Sequence, residues 1–109
     1  MSYPYLQLRS IRILGIDYEL KPMEAVVAEC AECAGFIDSQ KAVIFIREDL
    51  NSQVMAQTIL HEALHGLVDG MAASESDDGD EALVTRLGVA LTQFMRDNRN
   101  LVDWIQEQL

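Results

Sequence analysis

From Arg9 to Leu20 the apolar positions Ile11, Ile13, Ile16, Tyr18 and Leu20 alternate with polar or small residues. A period of two belongs to a half-buried strand. Gly15, in the middle of the stretch, makes a hairpin turn or bulge cheap, so two short strands or one bent strand are expected. Pro22 suits the first turn of a helix. Met23 to Ala34 is rich in Ala and Glu, and Gly35 can close it as a left-handed cap. A short helix is therefore expected there, although Val26-Val27 would also suit a strand.

Phe36 to Arg47 predicts a hairpin. Asp38 and Ser39 are turn formers, and Ala42-Val43-Ile44-Phe45-Ile46 is a near-continuous apolar run of the kind covered on both faces. Asn51 or Ser52 then caps a helix from about Gln53 to Met71. Its stripe of Val54, Ile59, Leu60, Ala63, Leu64, Leu67, Val68 and Met71 is wide enough to predict burial on more than one side. Residues 72–80 are small and acidic, a loop by composition. A further helix from about Glu81 to Arg96 carries Leu83, Leu87, Ala90, Leu91 and Phe94 on one face. Asn98 or Asn100 caps a last helix that buries Leu101, Trp104 and Ile105. Strands, a helix, strands and then three helices predict a single α+β domain spanning 1–109.

The candidate chemistry sits on the longest of these helices. His61-Glu62-Ala63-Leu64-His65 is the pattern H-E-x-x-H, and it uses both histidines of the chain. Residues four apart leave one face of a helix, so both imidazoles can reach one metal ion. Glu62 lies between them, turned from direct ligation but near the metal's open position, where its carboxylate can take a proton from water held there. The bland alternative is two half-buried helical histidines packed on a sheet. A pair on so apolar a helix should be partly enclosed.

Zinc hydrolases keep three protein ligands, and with no third histidine the last must be Asp, Glu or Cys. Glu81 is the first choice, because two antiparallel helices joined by a loop of about ten residues can bring its carboxylate to the imidazoles. Against it, Asp78-Gly79-Asp80-Glu81 also fits a capping box in which Glu81 folds back on the backbone. Asp80, Asp77 and Glu75 remain open as ligands or as partners that orient an imidazole. The rival site is Cys30-Ala31-Glu32-Cys33. With the histidines it would make a structural Cys₂His₂ site, but 27 residues separate Cys33 from His61, far more than a small finger uses. A redox pair lacks the βαβ setting of that motif; two small buried hydrophobes are the plainer reading.

Charge narrows the function classes. A formal net charge of −10 repels phosphate backbones and favours basic peptides over nucleic acid. Met1 to Tyr5 shows neither the basic nor the apolar region of a secretory leader, and the apolar run 42–46 is too short to span a bilayer. A cytoplasmic, membrane-free protein with reduced cysteines is expected.

Ile44-Phe45-Ile46 ahead of a capped helix bearing Ile59-Leu60-His61-Glu62-Ala63-Leu64-His65 resembles the minimal zincin core. It is similar in particular to the small HExxH proteins of bacteria and phages related to the ImmA/IrrE-type metallopeptidases. The likeness covers roughly residues 11–98, and the HExxH segment is its one sharply specific part. It implies a small sheet of about three to four strands packed on a central HExxH helix, with helices after it. It also implies one Zn²⁺ per chain on His61, His65 and Glu81, since Glu81-Ala82-Leu83-Val84 matches the position of the family's glutamate ligand. The activity implied is peptide hydrolysis with Glu62 as general base, on a protein or peptide substrate. The longer HExxHxxGxxH pattern is absent, Val68 and Met71 standing at its glycine and third histidine. An oxyanion donor is not legible; Tyr5, Tyr18 and Arg86 are the candidates. If strand 42–47 is an edge near the site, it would hold an extended substrate. A domain this small also leaves room for a different class of function, a non-catalytic zinc-binding regulatory module on the same scaffold.

Overall fold

The computed structural model of the chain describes Leu8 and residues 10–23, 34–71 and 79–109, with the side chains of 71, 79 and 80 excepted. The fold is α+β. Strands β1 (Ser10–Ile13), β2 (Ile16–Met23), β3 (Gly35–Asp38) and β4 (Val43–Arg47) are followed by helices α1 (Ser52–Met71), α2 (Gly79–Asp97) and α3 (Arg99–Gln108). They form one mixed sheet in the order β1-β2-β4-β3.

The alternating segment folds as a tight hairpin. Ile11 faces Tyr18 and Ile13 faces Ile16. The two turn residues, Leu14 and Gly15, both have positive φ (49° and 85°), the backbone that a two-residue hairpin with right-handed strand twist demands. Gly15 takes it freely, whereas Leu14 adopts it at a conformational cost. Arg12 pairs with Asp17 at 2.9 Å across the hairpin on its exposed side.

Pro22 does not open a helix; it lies within β2, opposite Ile46 of the parallel neighbour β4. The register shows why a strand tolerates it. Glu19 donates its N–H to Ala42 on the β4 side, so by alternation Lys21 and Met23 face β4 while Leu20 and Pro22 face the β1 side. The β1 ladder ends at the Ser10–Glu19 pair, so the missing N–H of Pro22 falls where no ladder bond is made. The helix expected from Met23 to Ala34 begins instead with a strand residue, Met23, and its span 24–33 lies outside the described residues.

The second hairpin forms as expected, with its turn held by Asp38, whose Oδ1 accepts from the Gln40 and Lys41 N–H groups at 3.1 Å each. Gly35 is not a helix cap but the first residue of β3. A side chain there would bring a Cβ to 2.5 Å from the Phe45 carbonyl oxygen and 3.1 Å from the Thr58 methyl. The contact with the β4 carbonyl is the prohibitive one, so only glycine fits here between β4 and α1.

Asn51 is the cap of α1: its Oδ1 accepts from the Val54 N–H at 2.9 Å. The helix lies centrally, touching β1, β3 and β4 on one side and α2 and α3 on others. Met55, Ala56, Ile59, Ala63 and Leu67 meet Ile11, Ile13, Ile44 and Ile46 in the core, with Phe94, Leu101 and Trp104 arriving from α2 and α3. The stripe is narrower than its composition suggests, because Val54, Leu60 and Val68 remain more than a third exposed.

Asn98 precedes α3, yet its side chain makes no cap bond. Its amide reaches across the molecule. Oδ1 accepts the Arg12 N–H at 2.7 Å, and Nδ2 donates to the Arg12 and Phe94 carbonyls at 2.7 and 2.8 Å. One buried amide thus satisfies the outward backbone groups of Arg12 as a neighbouring strand would, sealing that point of the β1 edge.

Candidate metal centre

His61 and His65 project from the exposed side of α1, beside the start of β3 and one helical turn apart. Their Nε2 atoms are 3.2 Å apart, with ring centroids at 4.8 Å and ring planes at 80°. In the metal-free chain one neutral ring can donate its Nε2–H to the other. Two zinc–nitrogen bonds of about 2.05 Å meeting tetrahedrally would place their nitrogens about 3.3 Å apart. The pair is therefore already spaced as two ligands of one small ion, and the donor set, imidazole nitrogen, suits zinc.

Glu62 occupies the boundary between the helix's two sides. It is 7% exposed, one of only three buried polar or charged residues described, and its Oε2 lies 4.0 Å from His61 Nε2. Burial pushes its carboxyl above the usual range, and the charge of His61 and His65 pulls partly against that rise. A carboxylate so placed is a better proton acceptor than one in open water.

An open cleft of about 490 Å³ surrounds these groups, lined by Ala34, Gly35, Gln57, Thr58, His61, Glu62 and His65. Gly35 and Ala34 bring the start of β3 to its wall, while Gln57 stands one turn before His61. Gln57 was findable from sequence, since 57, 61 and 65 share a four-residue spacing; Gly35 was not, because its pairing with Ile46 is a tertiary fact. Thr58 donates its hydroxyl to the Val54 carbonyl at 2.7 Å, which leaves its methyl for Gly35. The imidazoles are more open than the apolar helix suggested: the His61 side chain is 66% exposed.

Glu81 stands exposed on the first turn of α2. The structure does not draw it into a trio with the histidines: among the described residues no three His, Cys, Asp or Glu side chains gather as a metal-holding group. Cys30, Cys33, Glu75, Asp77 and Asp78 lie outside the described residues, as does Tyr5. Tyr18 is buried in the core and Arg86 is exposed on α2; neither lines the cleft. Strand 42–47 is not an edge, because β4 lies between β2 and β3. Among the described residues the edge strand beside the imidazoles is β3.

No helix among the described residues is long and apolar enough to cross a membrane. No protein-family model, curated protein or solved structure matches the chain.

Proposed function

We propose that this chain is a zinc-dependent peptide hydrolase in which His61 and His65 hold the ion and Glu62 is the general base. We assign the third ligand to Glu81, on the resemblance of Glu81-Ala82-Leu83-Val84 to the family's ligand position. The observation that carries the reading is the 3.2 Å spacing of the two Nε2 atoms with a buried carboxylate beside them. When bound, zinc would polarise a peptide carbonyl and acidify water.

The chain's own residues supply the rest. Glu62 accepts the proton of the attacking water and returns it to the departing amine. Among the described residues the cleft is open beside Ala34 and Gly35 at the start of β3, where an extended peptide can reach the imidazoles. The acidic surface raises the local concentration of basic peptides.

The test is Glu62→Gln, which keeps shape and hydrogen bonding but removes the base. Peptide cleavage should fall by about 10²- to 10⁴-fold with zinc stoichiometry unchanged. Cleavage persisting at the wild-type rate in that variant would remove Glu62 from the mechanism. The exposure of the His61 side chain favours a second reading, a zinc-binding interaction module without hydrolysis; it predicts no difference in cleavage between the two proteins.

A further inference from the structure

The two edges of the sheet are not equivalent. Asn98 occupies the outward groups of Arg12 on β1, whereas among the described residues no strand pairs with the outer side of β3. The register fixes which of its groups point outward. Arg47 donates its N–H to Ala34 at 2.9 Å, which makes Ala34–Arg47 a hydrogen-bonded pair. By alternation Phe36–Phe45 and Asp38–Val43 are also bonded pairs. Gly35 and Ile37 therefore turn their N–H and C=O groups outward, and Gly35 is at the cleft wall.

Phe36 lies between them. It stacks on Phe45 with centroids 4.8 Å apart and planes 19° from parallel. Although stacked on its inner flank, it is still 43% exposed. A peptide strand bonded through Gly35 and Ile37 places its intervening residue opposite Phe36. In an antiparallel pair this is the non-hydrogen-bonded position, where Cα atoms approach to about 4.5 Å and side chains touch. From these observations we propose that Phe36 is a specificity-determining residue: β3 takes an extended peptide carrying an aromatic side chain opposite Phe36, where its ring continues the Phe36–Phe45 stack. The occupant is cationic at its flanks, in keeping with the net charge of −10. This rests on the hydrolase reading for its catalytic meaning, but the binding step does not require the metal.

The experiment uses the full chain carrying Glu62→Gln, so that no cleavage intervenes. The probes are two labelled, end-blocked heptapeptides, Lys-Thr-Val-Phe-Val-Thr-Lys and the same peptide with serine at its centre. The phenylalanine peptide should bind about three- to tenfold more tightly and slow amide exchange at Gly35 and Ile37. That preference should disappear in Phe36→Ser and survive in part in Phe36→Leu, which keeps an apolar side chain on the strand. Comparing the two peptides on this one protein needs no Phe36 variant to fold. Equal affinities, no binding, or pairing of β3 with a second copy in place of peptide would each overturn the proposal. Wild-type cleavage separates the two readings. Hydrolysis without aromatic preference leaves the hydrolase and removes the role of Phe36; aromatic-selective binding without hydrolysis does the reverse.

Discussion

The two sides of α1 divide the work of the molecule. On the inner side Met55, Ile59, Ala63 and Leu67 are 0–2% exposed and hold the sheet to α2 and α3. On the outer side Gln57, His61 and His65 are exposed and contribute little to the core. Glu62 sits at the seam, buried enough for its carboxyl to be pushed up and with Oε2 4.0 Å from His61 Nε2. Twenty residues of one helix thus carry both the fold and the site, with few positions serving both. Stability and metal binding should therefore be separable by mutation.

The sharpest break of that division is Ile59→Ala, which removes a fully buried side chain. It should cost about 2–5 kcal/mol of unfolding free energy, measured by urea denaturation of the metal-free chain. His65→Ala, six residues on, should change the same melt by no more than about 0.5 kcal/mol. A large loss in His65→Ala would mean that the outer side is structural after all. Asn98→Ala should fall between them at about 1–3 kcal/mol, because it strands the Arg12 N–H and carbonyl. It also opens the β1 edge, so sedimentation should show concentration-dependent self-association that the wild type lacks. A melt unchanged by Asn98→Ala would show that water replaces the amide at no cost.

Much of the fold was legible in the residues. The period-two stretch gave the β1–β2 hairpin, Asp38 gave the β3–β4 turn, and the long apolar period with Asn51 ahead of it gave α1. Local chemistry decides each of these. What escaped was decided at long range. Pro22 reads as a helix starter, and only the early end of the β1 ladder makes it a strand residue. Asn98 reads as a cap, and only the approach of α3 to β1 shows its amide bonding Arg12. The apolar run 42–46 signals a well-covered strand, but nothing local says that it lies between β2 and β3, which leaves β3 at the edge among the described residues. For the site, four-residue spacing placed His61 and His65 together and Glu62 beside them. Glu81 was chosen on the packing expected of two antiparallel helices and on resemblance, and in the structure it stands exposed at the head of α2.

The most direct measurement is zinc stoichiometry and affinity by equilibrium dialysis of the full chain beside His65→Ala and Glu81→Gln. A His61–His65–Glu81 centre predicts one zinc per chain in the wild type. Binding should be abolished by His65→Ala and weakened at least tenfold, about 1.4 kcal/mol, by Glu81→Gln. An affinity unchanged by Glu81→Gln but lost with His65→Ala would keep the imidazole pair and move the third ligand elsewhere. Zinc binding indifferent to His65→Ala, or no zinc bound at all, would contradict the assignment and leave the two histidines as ordinary residues on the outer side of α1.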